Sequence, residues 1–341
     1  MAEVIIKAID IFVLSRIGHL LYVRKCQNKE SNINILYHIV LNFKKQEINM
    51  KKAIAAVAVI SIVLVAFSIR NTVIKEKEQK IEMIKVCDFE DGYDFMIGKY
   101  EITYLQYERY AKDKKNKELS SAVVKGGRYP VDFISWIQSA NFCNWLSSKE
   151  NLPQAYDNNY NLIDSNGQVT KDISKVLGYR LPTEREWEFA AAGAARTNGF
   201  KYSSSDDPDK AGWYRYNSGE KYLIHSSDRA TIISNGCGSH EVGQKYANEI
   251  GLYDMSGNLW EWVQDYYYET KALKEDIFHD KPSPQAAYLR TIKGGSWFDG
   301  EQSMEIKSRE GWNEYNSSSN MIGFRLARTI IPASKDTDKD D

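Results

Sequence analysis

The chain has 341 residues, with 45 Lys and Arg against 46 Asp and Glu and a formal net charge of −1. That balance leaves no excess of positive charge from which a basic face is built, so nucleic acid is not an expected partner. Cys26, Cys87, Cys143 and Cys237 have neither the paired spacing of a zinc site nor a CxxC redox motif. A Cys143–Cys237 disulfide stays open outside the cytoplasm, against the alternative of buried free cysteine.

Residues 1–49 read as an N-terminal leader, with an apolar patch at Ile11–Val23, or as an over-extended start. Residues 50–70 read as a signal anchor or signal peptide. The run 53–69 carries no charge, follows Lys51 and Lys52, and is at the short end of the range that spans a bilayer. Starting at Met50, it is also a well-formed signal sequence, with Ala66 and Ser68 at the −3 and −1 positions of a cleavage site. The expectation is an exported protein of a bacterial cell envelope, membrane-anchored through residues 53–69 or secreted. Residues 71–85 then read as a charged helical linker, and 333–341 as a disordered tail.

Residues 86–332 make one domain. All eight Trp and all but two of the 22 Tyr fall at or beyond position 93, so this part holds the large anchors for packing or binding. Ser139–Glu150 has helical apolar spacing through Ala140, Phe142, Cys143 and Leu146. TEREWEFAAAGA (183–194) opens with Thr183 and has Glu186 three residues on, a capping box. Between and after these two short helices the chain breaks into short aromatic segments punctuated by Gly, Asn, Asp and Ser. The expectation is an α+β domain rich in loops.

The order of its motifs carries a resemblance. FMIGKYEITYLQYERY (95–110) is followed by PVDFISWIQSANFCNWLS (130–147), YRLPTEREWEFAAAG (179–193), NEIGLYDMSGNLWEW (248–262), KGGSW (293–297) and IGFRLAR (322–328). This series resembles the formylglycine-generating enzyme, or sulfatase-modifying factor, family over about residues 90–330. The resemblance implies a C-type-lectin-like fold with much irregular structure around a small antiparallel sheet. It also implies structural Ca2+ on the Asp254 side chain, the Gly257 and Leu259 carbonyls and the Glu261 carboxylate, oxygen ligands of the kind calcium takes. The alternatives are a solvated acidic turn or a buried salt bridge at Glu261. Trp260 and Trp262 are expected in the core.

The copper-dependent members of that family work with two cysteines, five positions apart, just after GGS(Y/W). Here GGSWFDGEQSMEIKSR puts Asp299 and Met304 at those positions. A carboxylate and a thioether do not replace a redox thiol pair on copper, so formylglycine generation and bound copper are not expected. His225, His240 and His279 have no metal-binding spacing.

What remains is a binding module with no catalytic residues assigned. Between KGGSW and IGFRLAR lie Trp297, Phe298, Asp299, Glu301, Gln302, Arg309, Glu310, Trp312, Asn313, Tyr315, Ser317, Ser318 and Asn320, a mixture of aromatic anchors and polar groups typical of binding surfaces. The expected ligand is a protein, peptide or glycan outside the cytoplasm. The same segment is the one varied in related proteins of diversity-generating retroelement systems, so a diversified surface is a narrower reading. The competing readings are an enzyme with non-copper chemistry and a structural subunit of an envelope assembly.

Overall fold

The computed structural model describes residues 61–68, 80–113, 126–224, 228–268, 289–316 and 319–330. The chain divides into two units, Met1–Lys77 and Glu78–Asp341. In the first, residues 61–68 are an exposed helix. Among the described residues no helix is long and apolar enough to cross a membrane. The leader, residues 50–60 and 69–70 of the signal segment, residues 71–79 of the linker and the tail lie outside the described residues.

The second unit begins with β1 (Met83–Val86), so Met83–Lys85 is strand and not the helical linker its charge suggested. β1 pairs antiparallel with β2 (Phe95–Gly98), which pairs antiparallel with β7 (Ala327–Thr329). A second sheet has the order β5 (Arg309–Asn313), β4 (Leu289–Lys293), β3 (Trp260–Tyr266), β6 (Ile322–Phe324). Its β3–β6 pair is parallel, so this second sheet is mixed, while the three-stranded sheet is antiparallel as expected.

Three helices pack on these strands: α1 (Tyr104–Asp113), α2 (Trp136–Lys149) and α3 (Glu184–Ala191). α1 was not among the two helices expected, because its buried face is built from Tyr104, Gln106, Tyr107 and Tyr110 rather than aliphatic residues. α2 starts three residues before the expected Ser139. The Ser135 side chain accepts from the Gln138 N–H, and the Gln138 side chain accepts from the Ser135 N–H. α3 follows the expected box, with Thr183 Oγ1 accepting from the Glu186 N–H at 3.1 Å and Glu186 returning the bond to the Thr183 N–H at 2.8 Å. Two shorter helices, α4 (Pro208–Ala211) and α5 (Arg229–Ser234), stand in the long connection before β3.

Aromatic rings fill the space between helices and sheet. Tyr107 of α1 stacks on Phe142 of α2 at 5.4 Å, and Phe324 of β6 meets Phe142 edge-on at 5.5 Å. Two indoles tie α2 and its N-terminal approach to β3: Trp136 Nε1 donates to the Val263 carbonyl at 2.9 Å, and Trp262 Nε1 to the Ile134 carbonyl at 2.8 Å. A buried Trp keeps its N–H satisfied only by such a partner, so each bond fixes both position and rotation of the ring. Cys143 is buried in this core, and Cys87, Cys143 and Cys237 are all free thiols.

Candidate functional site

The turn that leads into β3 is a left-handed corner. Asp254, Gly257 and Asn258 have φ of 58°, 76° and 64°. A Cβ on Gly257 would stand 2.3 Å from the Trp213 carbonyl oxygen and 3.0 Å from the Met304 sulfur, so space as well as backbone requires glycine. Glu101, arriving from beyond β2, holds the corner from below. Its carboxylate accepts from Asn258 Nδ2 at 2.7 Å and from the Leu259 N–H at 3.0 Å. Burial, and then the charges of Asp254 and Glu261, push the Glu101 carboxyl well above the usual carboxylate range.

Glu261 is engaged on both oxygens. Arg325 Nη2 donates to Oε1 at 2.6 Å, and Arg325 Nε and Trp187 Nε1 donate to Oε2 at 2.6 and 2.7 Å. Both partners of the ion pair are fully buried. Of the alternatives at this turn, the buried salt bridge is the one observed. Asp254 accepts from the Gly243 N–H through Oδ2, at 2.7 Å, and its Oδ1 is buried without a partner. The expected calcium set of Asp254, Gly257, Leu259 and Glu261 does not fit an ion as it stands. A guanidinium already neutralises the Glu261 carboxylate, which leaves Asp254 Oδ1 as the unpartnered carboxylate oxygen of that set. Trp260 and Trp262 are both buried, as expected.

Beyond GGSW, Asp299 and Met304 are built into the fold. The Asp299 carboxylate accepts from Trp260 Nε1 at 2.8 Å and from the Ser296 hydroxyl. Met304 is wholly buried beside Tyr202, Ala211 and Tyr214, under the Gly257 corner. His240, one of the three histidines noted above, stacks on Trp213 at 3.8 Å, while His225 and His279 lie outside the described residues.

The residues expected to bind a ligand separate into two groups. Trp297 is buried, with its Nε1 donating to the Asn320 carbonyl at 2.9 Å. Arg309 is consumed by the domain: it forks onto Glu184 at 2.8 and 3.0 Å, and it also donates to the Tyr268 carbonyl and the Thr291 hydroxyl. Its assignment to a ligand is therefore corrected; it pins β5 to α3. Trp312 is half-buried against the main core. At the surface stand Gln302, Glu310, Asn313, Asn320 and Tyr315, the last 59% exposed, with Phe298 and Glu301 partly so. Ser317 and Ser318 lie outside the described residues.

Sequence reasoning missed two cations that belong to this surface. Arg215 and Arg229 both stand over the Phe298 ring, at 5.8 and 5.9 Å from its centroid. They come from a loop-rich stretch with no periodicity, so nothing local in the sequence marked them.

Fold and site together define a formylglycine-generating-enzyme-type domain of the C-type-lectin-like class in which the cysteine pair is replaced by structural residues. The family model for the sulfatase-modifying factor enzyme 1-like domain matches residues 72–330, and the chain belongs to that family. It is 34% identical over 244 residues to the chaperone protein LppX of Paenibacillus barcinonensis, covering 69% of this chain and 80% of that protein. It is 30% identical over 208 residues to the inactive Cα-formylglycine-generating enzyme 2 of Bos taurus, 58% of this chain and 50% of that one. Among solved structures, Treponema denticola variable protein 1 superposes with a TM-score of 0.51 at 25% identity, over 74% of this chain and 92% of that one.

Proposed function

We propose that the domain is a non-catalytic, exported binding module whose partner is a polypeptide, held at the surface formed by Phe298 and the exposed residues of segment 301–320. One observation carries this reading. The two positions where the copper-dependent relatives keep their cysteines are taken by groups that the fold itself uses, Asp299 by Trp260 and Met304 by a buried pocket. A site rebuilt in that way has no thiol pair to offer a metal, while the loop around it still ends in exposed aromatic and amide groups.

A polypeptide is favoured over a glycan because the 34% identical relative is described as a chaperone, a protein that acts on other proteins. The likeness to a variable protein supports a diversified form of the same surface, since Tyr315, Asn313 and Glu310 can change without touching the core. Export rests on the uncharged run at 53–69 with lysines before it.

The test is selection of peptides from a random displayed library on the purified chain, followed by the same selection on Phe298→Ala and Tyr315→Ala variants. Enriched peptides that lose at least about tenfold in affinity on either variant support the surface, given the size of typical aromatic hot spots. Peptides indifferent to both changes would place binding elsewhere.

A further inference from the structure

An arginine that faces a ring in this domain often has a carboxylate as well. Arg290, 3.6 Å from the Tyr266 centroid, pairs with Glu314. Arg309, 4.8 Å from Tyr267, pairs with Glu184, and Arg185, 5.8 Å from Phe89, pairs with Glu90 and Asp91. Arg128 over Tyr100 and Arg328 over Tyr179 have no ion-pair partner among the described residues, and Arg215 and Arg229 go further in sharing a ring. They converge on one partly exposed ring, and neither has an ion-pair partner among the described residues.

The acids adjacent in sequence to Arg229 and Phe298 already accept hydrogen bonds within the fold. Asp228 caps α5, its carboxylate accepting from the Ala230 and Thr231 N–H groups and the Thr231 hydroxyl. Asp299 is held by Trp260 and Ser296. The arrangement is also fixed in place. Arg215 donates its N–H to the Asp299 carbonyl at 3.0 Å and its Nε to the Phe298 carbonyl at 2.9 Å, and its Nη groups have no hydrogen-bond partner among the described residues. Phe298 itself packs with Leu223 and Cys237 on the cluster of Ile232, Leu259 and Trp297.

We infer that Arg215, Arg229 and Phe298 form a carboxylate-binding subsite that takes an acidic side chain of the polypeptide partner. This rests on the binding role proposed for the same surface. Two guanidinium charges beside one ring raise the positive potential there, and an anion bound at the ring's edge relieves it while forming charge-assisted hydrogen bonds. The apolar rim of Phe298, Leu223 and Cys237 suits the methylene stem of a glutamate, which favours an acidic peptide over a bare inorganic anion.

A fluorescein-labelled oligoglutamate peptide and its oligoglutamine counterpart, titrated against the purified full chain, test the subsite. At about 50 mM salt oligoglutamate should bind at least about tenfold more tightly, and the difference should shrink at about 500 mM as exposed charges are screened. Arg229→Glu, a change at an exposed side chain, should abolish the preference, and Arg215→Lys should weaken it while keeping a positive charge. Equal binding of the two peptides, or a preference unchanged by Arg229→Glu, would overturn the subsite. Library-selected peptides separate this from the broader reading: binding that depends on Tyr315 but not on Arg229 leaves the surface standing and removes the carboxylate subsite.

Discussion

Glu261 of β3 and Arg325, the residue that follows β6, form a fully buried two-pronged ion pair, with both Arg325 nitrogens 2.6 Å from the carboxylate oxygens. The pair joins three parts of the domain, because Arg325 also donates to the Gly98 and Tyr253 carbonyls and Glu261 also accepts from Trp187. Removing one partner leaves a buried charge uncompensated, which costs about 3–5 kcal/mol. Glu261→Gln should therefore lower the melting temperature by the same amount in excess calcium and in excess chelator. A loss confined to calcium-containing buffer would mean that Glu261 serves a metal.

Asp265, buried at the end of β3, carries a pH dependence of predictable sign. Burial, then the Glu184 charge, pushes its carboxyl up to about 7. The folded state thus holds a proton that the unfolded chain gives up near the ordinary value of about 4. The stability from this residue is complete below about pH 4 and is lost as pH rises through about 7, by on the order of 4 kcal/mol. Asp265→Asn should gain on the wild type across that window in urea titrations at successive pH values. A difference independent of pH would show that Asp265 is ionised throughout.

Met304 and Asp299 should behave as structural residues. Met304→Ala empties a buried site and should cost about 2–5 kcal/mol. Asp299→Ala leaves the Trp260 indole N–H without its partner, at about 1–3 kcal/mol. Denaturant midpoints check both, and losses below about 0.5 kcal/mol would mean that the loop carries these residues without depending on them.

Arg309 and Tyr315 sit six residues apart and should separate cleanly. Arg309→Ala removes the two-pronged partner of Glu184 and leaves Lys293, 3.6 Å away, as its cation in a largely buried network, and should destabilise by about 2 kcal/mol. Tyr315→Ala, at an exposed position, should change stability by less than about 0.5 kcal/mol and appear only in ligand binding. Thermal unfolding of the two variants side by side is the check.

Much of the fold was legible because its signals are local. The Thr183–Glu186 box placed α3, and the ordered motifs placed the domain class. Other features depend on distant partners. Glu186 reads as a cap, yet its carboxylate also binds Arg180 in a fully buried pair. α1 hid behind tyrosines whose burial depends on Phe142 and Phe324. At the site, Glu261 and Arg309 looked available for ligands because their partners, Arg325 and Glu184, lie 64 and 125 residues away. The Arg215–Arg229–Phe298 convergence is of the same kind, since only the folded chain brings the three together.

The binding we propose leaves the polypeptide unaltered. Calorimetric titration of a library-selected peptide into the purified chain, with the peptide's mass measured before and after, tests this most directly. The expected result is saturable one-site binding that Phe298→Ala or Tyr315→Ala weakens at least about tenfold, with the peptide mass unchanged. A peptide recovered with an altered mass, or binding untouched by both substitutions, would contradict it.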